Sequence, residues 1–252
     1  MAKREPNAVE TTPSGIEIAF YDSIGVDGEP QQRRYLIDGE RLPSVTTILG
    51  TLSKGDALLH WAVGLTRDGR DWREVRDEAA QRGHGQHHLL LQSMLGERTS
   101  LSDLSEEYRG WGQAGFRWLR AREPKVIAAE KMIADPAAGY AGRFDLLTTI
   151  DGIRTLTDFK TVTAFKRDQK GRLRPPYDEN LLQLDLYAGA LEASGYGSAE
   201  RGLIVRLGPD GDYDETFIDL DPSRGLAVLA AYRAKRIASK AVRAASREPI
   251  AA

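Results

Sequence analysis

The 252 residues are 41% hydrophobic and 29% charged, ordinary proportions for a soluble globular chain and enough to bury a sizeable core in one mixed domain or two small ones. A formal net charge of −2 excludes a generally basic protein, so contact with nucleic acid would fall to local patches. The absence of cysteine excludes disulfides, thiolate zinc sites and cysteine-ligated iron–sulfur clusters, and leaves oxygen and imidazole as metal ligands.

Residues 1–14 have mixed charge, two prolines and no periodicity, which predicts a flexible tail ahead of a single domain over 15–252. Its amino-terminus, MAKREPNAVE, lacks the apolar core of a signal peptide, and no apolar run approaches the ~18 residues of a membrane span. A cytoplasmic protein is the expectation. Ile16, Ile18 and Phe20 alternate with polar or small residues, and Tyr35 to Ile37 forms a second β-like run, which together predict a hairpin. Leu58, Leu59, Trp61, Ala62 and Leu65 recur at helical spacing, and further helices are predicted over 72–95 and 102–122. The first part of the domain, 15–122, is therefore a hairpin followed by helices.

From Lys125 the period changes. Strands are predicted over 125–133, 143–150 and 153–162, the last two joined by Asp151-Gly152, a strong hairpin signal. A basic loop at 164–178 leads to a helix capped by Asp178 or Asn180 and ending at Gly195. Strands over 201–207 and 213–220 follow, and Pro222-Ser223 opens a long final helix. The part from 123 to 252 thus completes an α/β (α+β) fold, a central mixed β-sheet flanked by helices.

With Asp151-Gly152 as a two-residue loop, counting outward from Ile150 opposite Ile153 puts Asp145 opposite Asp158, with Cβ atoms ~4.5 to 5.5 Å apart. Like charges so placed are destabilising unless a cation lies between them. Lys160 shares the Asp158 face, while Phe144 and Phe159 are expected to pair on the other, core-facing side. Carboxylate oxygens suit a hard cation such as Mg²⁺ or Mn²⁺. The plainer alternative is a surface hairpin with an Asp–Lys ion pair and a coincidental second aspartate.

Gly142-Arg143-Phe144-Asp145, Asp158-Phe159-Lys160-Thr161, and Gln183 with Tyr187 four residues on resemble the PD-(D/E)XK nuclease superfamily, in particular its RecB-type exonuclease branch. Arg82-Gly83-His84-Gly85-Gln86-His87 resembles that branch's RG-x-x-x-H helix, so the likeness covers about residues 82 to 190. It implies a restriction-endonuclease-like core with a helical amino-terminal elaboration. It further implies metal ligands His87, Asp145, Asp158 and the Phe159 carbonyl, a catalytic Lys160, and a supporting pair in Gln183 and Tyr187. The cofactor implied is Mg²⁺ or Mn²⁺, and the iron–sulfur cluster of one subgroup has no ligands here. Pro43-Ser44-Val45-Thr46-Thr47-Ile48 resembles a stretch ahead of the core in phage-encoded members, with no chemistry assigned to it.

Several alternatives stay open on the residues themselves. His84 and His88 share a helix face with His87, although the motif spacing favours His87; Gln183 and Tyr187 also fit a polar helix edge with a half-buried tyrosine. Glu130 is a further acidic candidate, with an exposed strand glutamate as the commoner explanation. Lys166, Arg167, Lys170, Arg172 and Arg174 form a mobile basic loop suited to sequence-independent contacts with the DNA backbone, or simply a solvated loop. The final helix, with Arg233, Lys235, Arg236, Lys240, Arg243 and Arg247, is either a second DNA-facing strip or a soluble amphipathic helix. The expected function is a metal-dependent DNA exonuclease in recombination, repair or phage DNA metabolism, with DNA as partner and room for a homo-oligomer or a recombination partner protein. The alternatives are a non-catalytic DNA-binding or assembly protein on the same fold, and an endonuclease.

Overall fold

The computed structural model describes residues 5–29, 31, 33–52 and 55–245, without the side chains of 55–59, 61, 244 and 245. The chain opens with a four-stranded antiparallel sheet, β1 (Ala8–Thr11), β2 (Glu17–Tyr21), β3 (Arg34–Ile37) and β4 (Glu40–Leu42). Part of the expected tail is therefore a strand. Gly15 turns the chain at a φ of 86°, Ala8 to Thr11 pair with Phe20 to Glu17, and Glu10 accepts the Met132 N–H, an anchor distant in sequence.

Helices follow: α1 (Val45–Leu49), α2 (Gly55–Arg67), α3 (Trp72–Met94) and α4 (Arg109–Arg122). Ser44 caps α1 by accepting the Thr47 N–H, and Asp71 caps α3 by accepting that of Arg73. The expected packing of Leu58, Leu59 and Trp61 lies outside the described side chains. The helix expected from 102 begins only at Arg109, because a Ser100 capping box and a second short turn satisfy the backbone in single 3-10 turns over Leu101–Asp103 and Glu106–Tyr108.

The central sheet is mixed and five-stranded. Its members are β5 (Lys125–Ala129), β8 (Leu146–Ile150), β9 (Ile153–Thr161), β10 (Arg201–Leu207) and β11 (Tyr213–Ile218), while β6 (Met132–Asp135) and β7 (Tyr140–Arg143) form a separate ribbon. The order is β11-β10-β9-β8-β5, with only β9 and β10 parallel. Their crossover is α5 (Asp178–Ala193), which starts without the side-chain cap expected of Asp178 or Asn180. The last helix, α6 (Pro222–Ala245), starts where Asp221 accepts the Ser223 N–H.

Both sheet faces are covered, and β10 accordingly reads as an unbroken apolar run, Leu203-Ile204-Val205. On one face Val45, Leu184, Leu186 and Val228 pack on Leu147, Leu156 and Ile204; on the other, Leu90 and Trp118 pack on Leu146, Ile150, Phe159 and Val205. Phe144 belongs to the first cluster and Phe159 to the second, so they do not pair as expected. The cause is a bend: the chain leaves β7 at Arg143 and enters β8 only at Leu146, losing strict alternation between them.

Candidate metal centre

The Asp151-Gly152 turn sets the register as its type predicts. Both residues take positive φ, 55° and 78°, as a type I′ turn requires, and Leu147 stands opposite Leu156. The β8–β9 ladder runs to Leu146 opposite Thr157 and stops. Asp145 is thus beyond the ladder, and is not held directly opposite Asp158 by strand pairing.

What ends the ladder is a bend shared by two neighbouring strands. Ala129 pairs with Leu146 in β5·β8 and Met132 with Arg143 in β6·β7, the same register, so Glu130 faces Asp145 where the pair swings out of the sheet. The Glu130 N–H donates to the Asp145 carbonyl at 2.9 Å, and Glu130 takes a left-handed φ of 50°. The strand predicted over 125–133 is broken here.

Beyond the point where β8 departs, the Phe159 N–H donates to Asp145 Oδ2 at 2.9 Å, and His87 Nε2 lies 3.2 Å from the Phe159 carbonyl oxygen. His87 Nε2 is also 3.6 Å from Asp145 Oδ2, while its Nδ1 is 3.6 Å from Glu130 Oε1. Ligand atoms of His87, Glu130 and Asp145 lie within 4.8 Å of one another. His84 and His88 are exposed, and neither joins this group. Glu130, a further acidic candidate whose commoner expectation was an exposed strand position, is partly buried beside the imidazole. Its signal was Glu130-Lys131, a charged break inside an apolar stretch.

Asp158 and Lys160 point to the α5 side. Asp158 is 1% exposed, its Oδ2 lies 2.6 Å from Lys160 Nζ, and its Oδ1 has no hydrogen-bond partner among the described residues. Lys160 Nζ donates to Gln183 Oε1 at 3.2 Å, and Gln183 Nε2 donates to the Tyr187 hydroxyl at 3.0 Å. All the predicted residues of the hairpin and of α5 are therefore brought together with His87, with Asp158 one step removed from the tight His–Glu–Asp group.

Electrostatics report crowded negative charge. Burial pushes the Asp158 carboxyl up to about 6 against the pull of Lys160, and Asp145 adds to the rise. At His87 burial opposes protonation, yet the carboxylates of Asp145, Glu130 and Asp158 outweigh it and carry the imidazole up to about 9. Burial likewise opposes the Lys160 ammonium, but Asp158 and Asp145 reverse it and raise its pKa, so the lysine stays charged. Tyr187 is raised well above the ordinary phenol value, chiefly by burial, and stays neutral.

The donor set fits a divalent cation. The His87 imidazole, the Asp145 carboxylate and the Phe159 carbonyl converge, with Glu130 on the other imidazole nitrogen, and the buried Oδ1 of Asp158, the residue before Phe159, lacks a partner among the described residues.

The basic loop carries contacts of its own. Arg167 bridges Leu173, and Asp168 accepts backbone N–H groups of Lys170 and Arg172 and pairs with the Arg172 guanidinium at 2.8 Å. Arg206 donates to the Arg174 carbonyl, and the side chains of Lys166, Lys170 and Arg174 are exposed.

No family model and no curated protein sequence matches the chain. Solved structures with some likeness include one named SSO0001, at 20% identity and a TM-score of 0.30, covering 48% of this chain and 54% of that one, about half its length. Another is an alkaline exonuclease, LHK-Exo, from Laribacter hongkongensis, at 14% identity and a TM-score of 0.39, covering 79% of this chain and 93% of that one. LHK-Exo in complex with dAMP is similar at 16% identity and a TM-score of 0.36, with 80% and 94% covered. These likenesses are too remote to assign the chain to a family.

Proposed function

We propose that this chain is a Mg²⁺- or Mn²⁺-dependent DNA exonuclease of the PD-(D/E)XK superfamily and its RecB-type branch, acting on DNA ends in recombination, repair or phage DNA metabolism. The observation that carries the reading is the meeting, where β8 leaves β9, of His87, Asp145 and the Phe159 carbonyl beside an Asp158–Lys160 pair. The ordered motifs at 82–87, 142–145, 158–161 and 183–187 support it.

In this reading His87 Nε2, Asp145, Asp158 and the Phe159 carbonyl would hold the cation, and the Glu130 carboxylate, 3.6 Å from Nδ1, would favour the tautomer that carries its proton there. A bound divalent cation lowers the pKa of water and polarises a phosphoryl oxygen. Lys160, held charged by Asp158, offers its ammonium to the charge that develops on the scissile phosphate. Gln183 fixes the Lys160 amine, and the neutral Tyr187 hydroxyl fixes Gln183. The exposed Lys166, Lys170 and Arg174 beside the end of β9 supply sequence-independent backbone contacts.

The test is degradation of end-labelled linear and covalently closed circular DNA with Mg²⁺, Mn²⁺ or EDTA, by wild type and Lys160→Ala. Metal-dependent loss of linear DNA alone, abolished in the variant, is the expected result. Cutting of closed circles would make the protein an endonuclease, and binding without any cutting would make it a non-catalytic DNA-binding protein.

A further inference from the structure

The carboxyl-terminal helix has a charge pattern that its own packing does not explain. Over Pro222–Ala245 it carries Arg224, Arg233, Lys235, Arg236, Lys240 and Arg243 and not one Asp or Glu. Its first half is anchored: Val228 and Leu229 are buried, Arg224 pairs with Asp185, and Arg233 donates to the Ala138 carbonyl. Beyond the half-buried Tyr232, every residue from Arg233 to Arg243 is exposed, whichever side of the helix it occupies.

From Ala234 to Arg243 the helix thus has no buried face among the described residues to stabilise it. Arg236 and Lys240 are four apart and Arg233 and Arg236 three apart, like-charge spacings that work against an isolated helix. Neither Lys235 nor Lys240 has an acidic partner among the described residues. An arrangement that is self-repelling alone is relieved by a polyanion laid along it.

A place for that polyanion is formed. A groove of about 990 Å³ runs between this outer half of α6 and α1, with Lys235, Arg236 and Lys240 on one wall and Thr47 and Thr51 on the other. At its other end α1 lies beside Tyr187, which supports Lys160 through Gln183: a Cβ on Gly142 would meet both the Tyr187 ring, at 2.7 Å, and Val45, at 3.1 Å. A five-residue helix is about 7.5 Å long, roughly the axial rise of two nucleotides of a duplex strand.

We propose that the groove between α1 and the outer half of α6 is a second seat for the DNA backbone, holding duplex that extends beyond the cleavage site. It rests on the nuclease reading for the identity of the polyanion, and on charge and shape for its location. Binding here is sequence-independent and salt-sensitive, and serves to retain long DNA, while hydrolysis belongs to the metal centre.

The experiment is anisotropy titration of a labelled blunt duplex of about 30 base pairs, in EDTA, across a salt series, for wild type and Lys235→Gln/Lys240→Gln. Both side chains are exposed, and circular dichroism and sedimentation check the fold and the oligomeric state. The expected result is a log–log salt slope smaller by about two and an affinity lower by about tenfold. An unchanged slope and affinity overturns the proposal, as does self-association of the wild type through this face that the variant loses while its salt slope stays the same. Because EDTA removes hydrolysis, binding is read apart from cutting: wild-type protein that binds this way but cuts nothing once Mg²⁺ or Mn²⁺ is supplied sinks the nuclease reading alone, and a variant that binds normally sinks the groove alone.

Discussion

The two ends of the β8–β9 hairpin are built from the same pair of strands and do opposite things. At the turn, Asp151-Gly152 closes the ladder, Ile150 meets Ile153, and the side chains on both faces enter apolar clusters. Five residue pairs later the ladder stops, Asp145 bends away with Glu130, and a backbone N–H and C=O of β9 are answered by side chains instead of by a neighbouring strand. Regular pairing stabilises the hairpin; its interruption opens the space in which an imidazole and carboxylates meet.

The sharpest way to separate the two ends is to damage each and read both stability and chemistry. Lys160→Ala, at the open end, is expected to lower the single-turnover cleavage rate by ~10²- to 10³-fold in protein that still folds, at a lower melting temperature because the buried Asp158 loses its partner. A loss of folded protein instead would mean that the lysine is structural. Glu130→Gln keeps the size of the side chain but removes its charge, and should weaken Mn²⁺ binding in calorimetry by ~10- to 100-fold through His87. Unaltered affinity would reduce Glu130 to a polar residue at a bend.

At the closed end the effect moves to stability. Gly152→Ala meets open space, so its cost is the left-handed backbone alone, ~1 to 2 kcal/mol in denaturant unfolding, with metal affinity unchanged. A fall in metal affinity would show that the ends are not separable. The last contrast concerns pH. Because His87 is raised from 6.5 to about 9 without metal, protonation stabilises the folded state fully below 6.5, and that stability is lost as pH rises through about 9. EDTA-treated wild type should therefore be more stable than His87→Gln near neutral pH, with the gap closing by about pH 9; a gap that widens would contradict the charge assignment.

These contrasts also mark what was legible in the sequence. The turn is written in two adjacent residues, and the strand register follows from it by counting, so Lys160, Asp158 and their shared face were readable. The helical spacing of Gln183 and Tyr187 was readable for the same reason: it is local. The bend was not, because β5 and β8 leave the sheet together only where β6 and β7 find support on α5 and the amino-terminal sheet. No residue-type rule announces a left-handed φ at Glu130, so a strand was expected to run through it. The error over Phe144 has the same origin, since two irregular residues suffice to change which face a side chain enters. The strand at Ala8–Thr11 is not legible in the sequence because four residues are too few to establish alternation against a polar background.

The shared bend also bears on how the molecule assembles. His87 and Phe159 are 72 positions apart, and the carboxylates between them come from a ribbon that must dock before it can turn. Bringing such distant segments together costs loop-closure entropy that early, local contacts do not repay. The His87–Glu130–Asp145 cluster is therefore expected to form late in folding, and an unfolded or half-folded chain would offer no comparable ligand set. A cation selective for the finished state would shift the folding equilibrium toward it and shield the 123–145 region from proteases, making resistance to cleavage a direct gauge of occupancy.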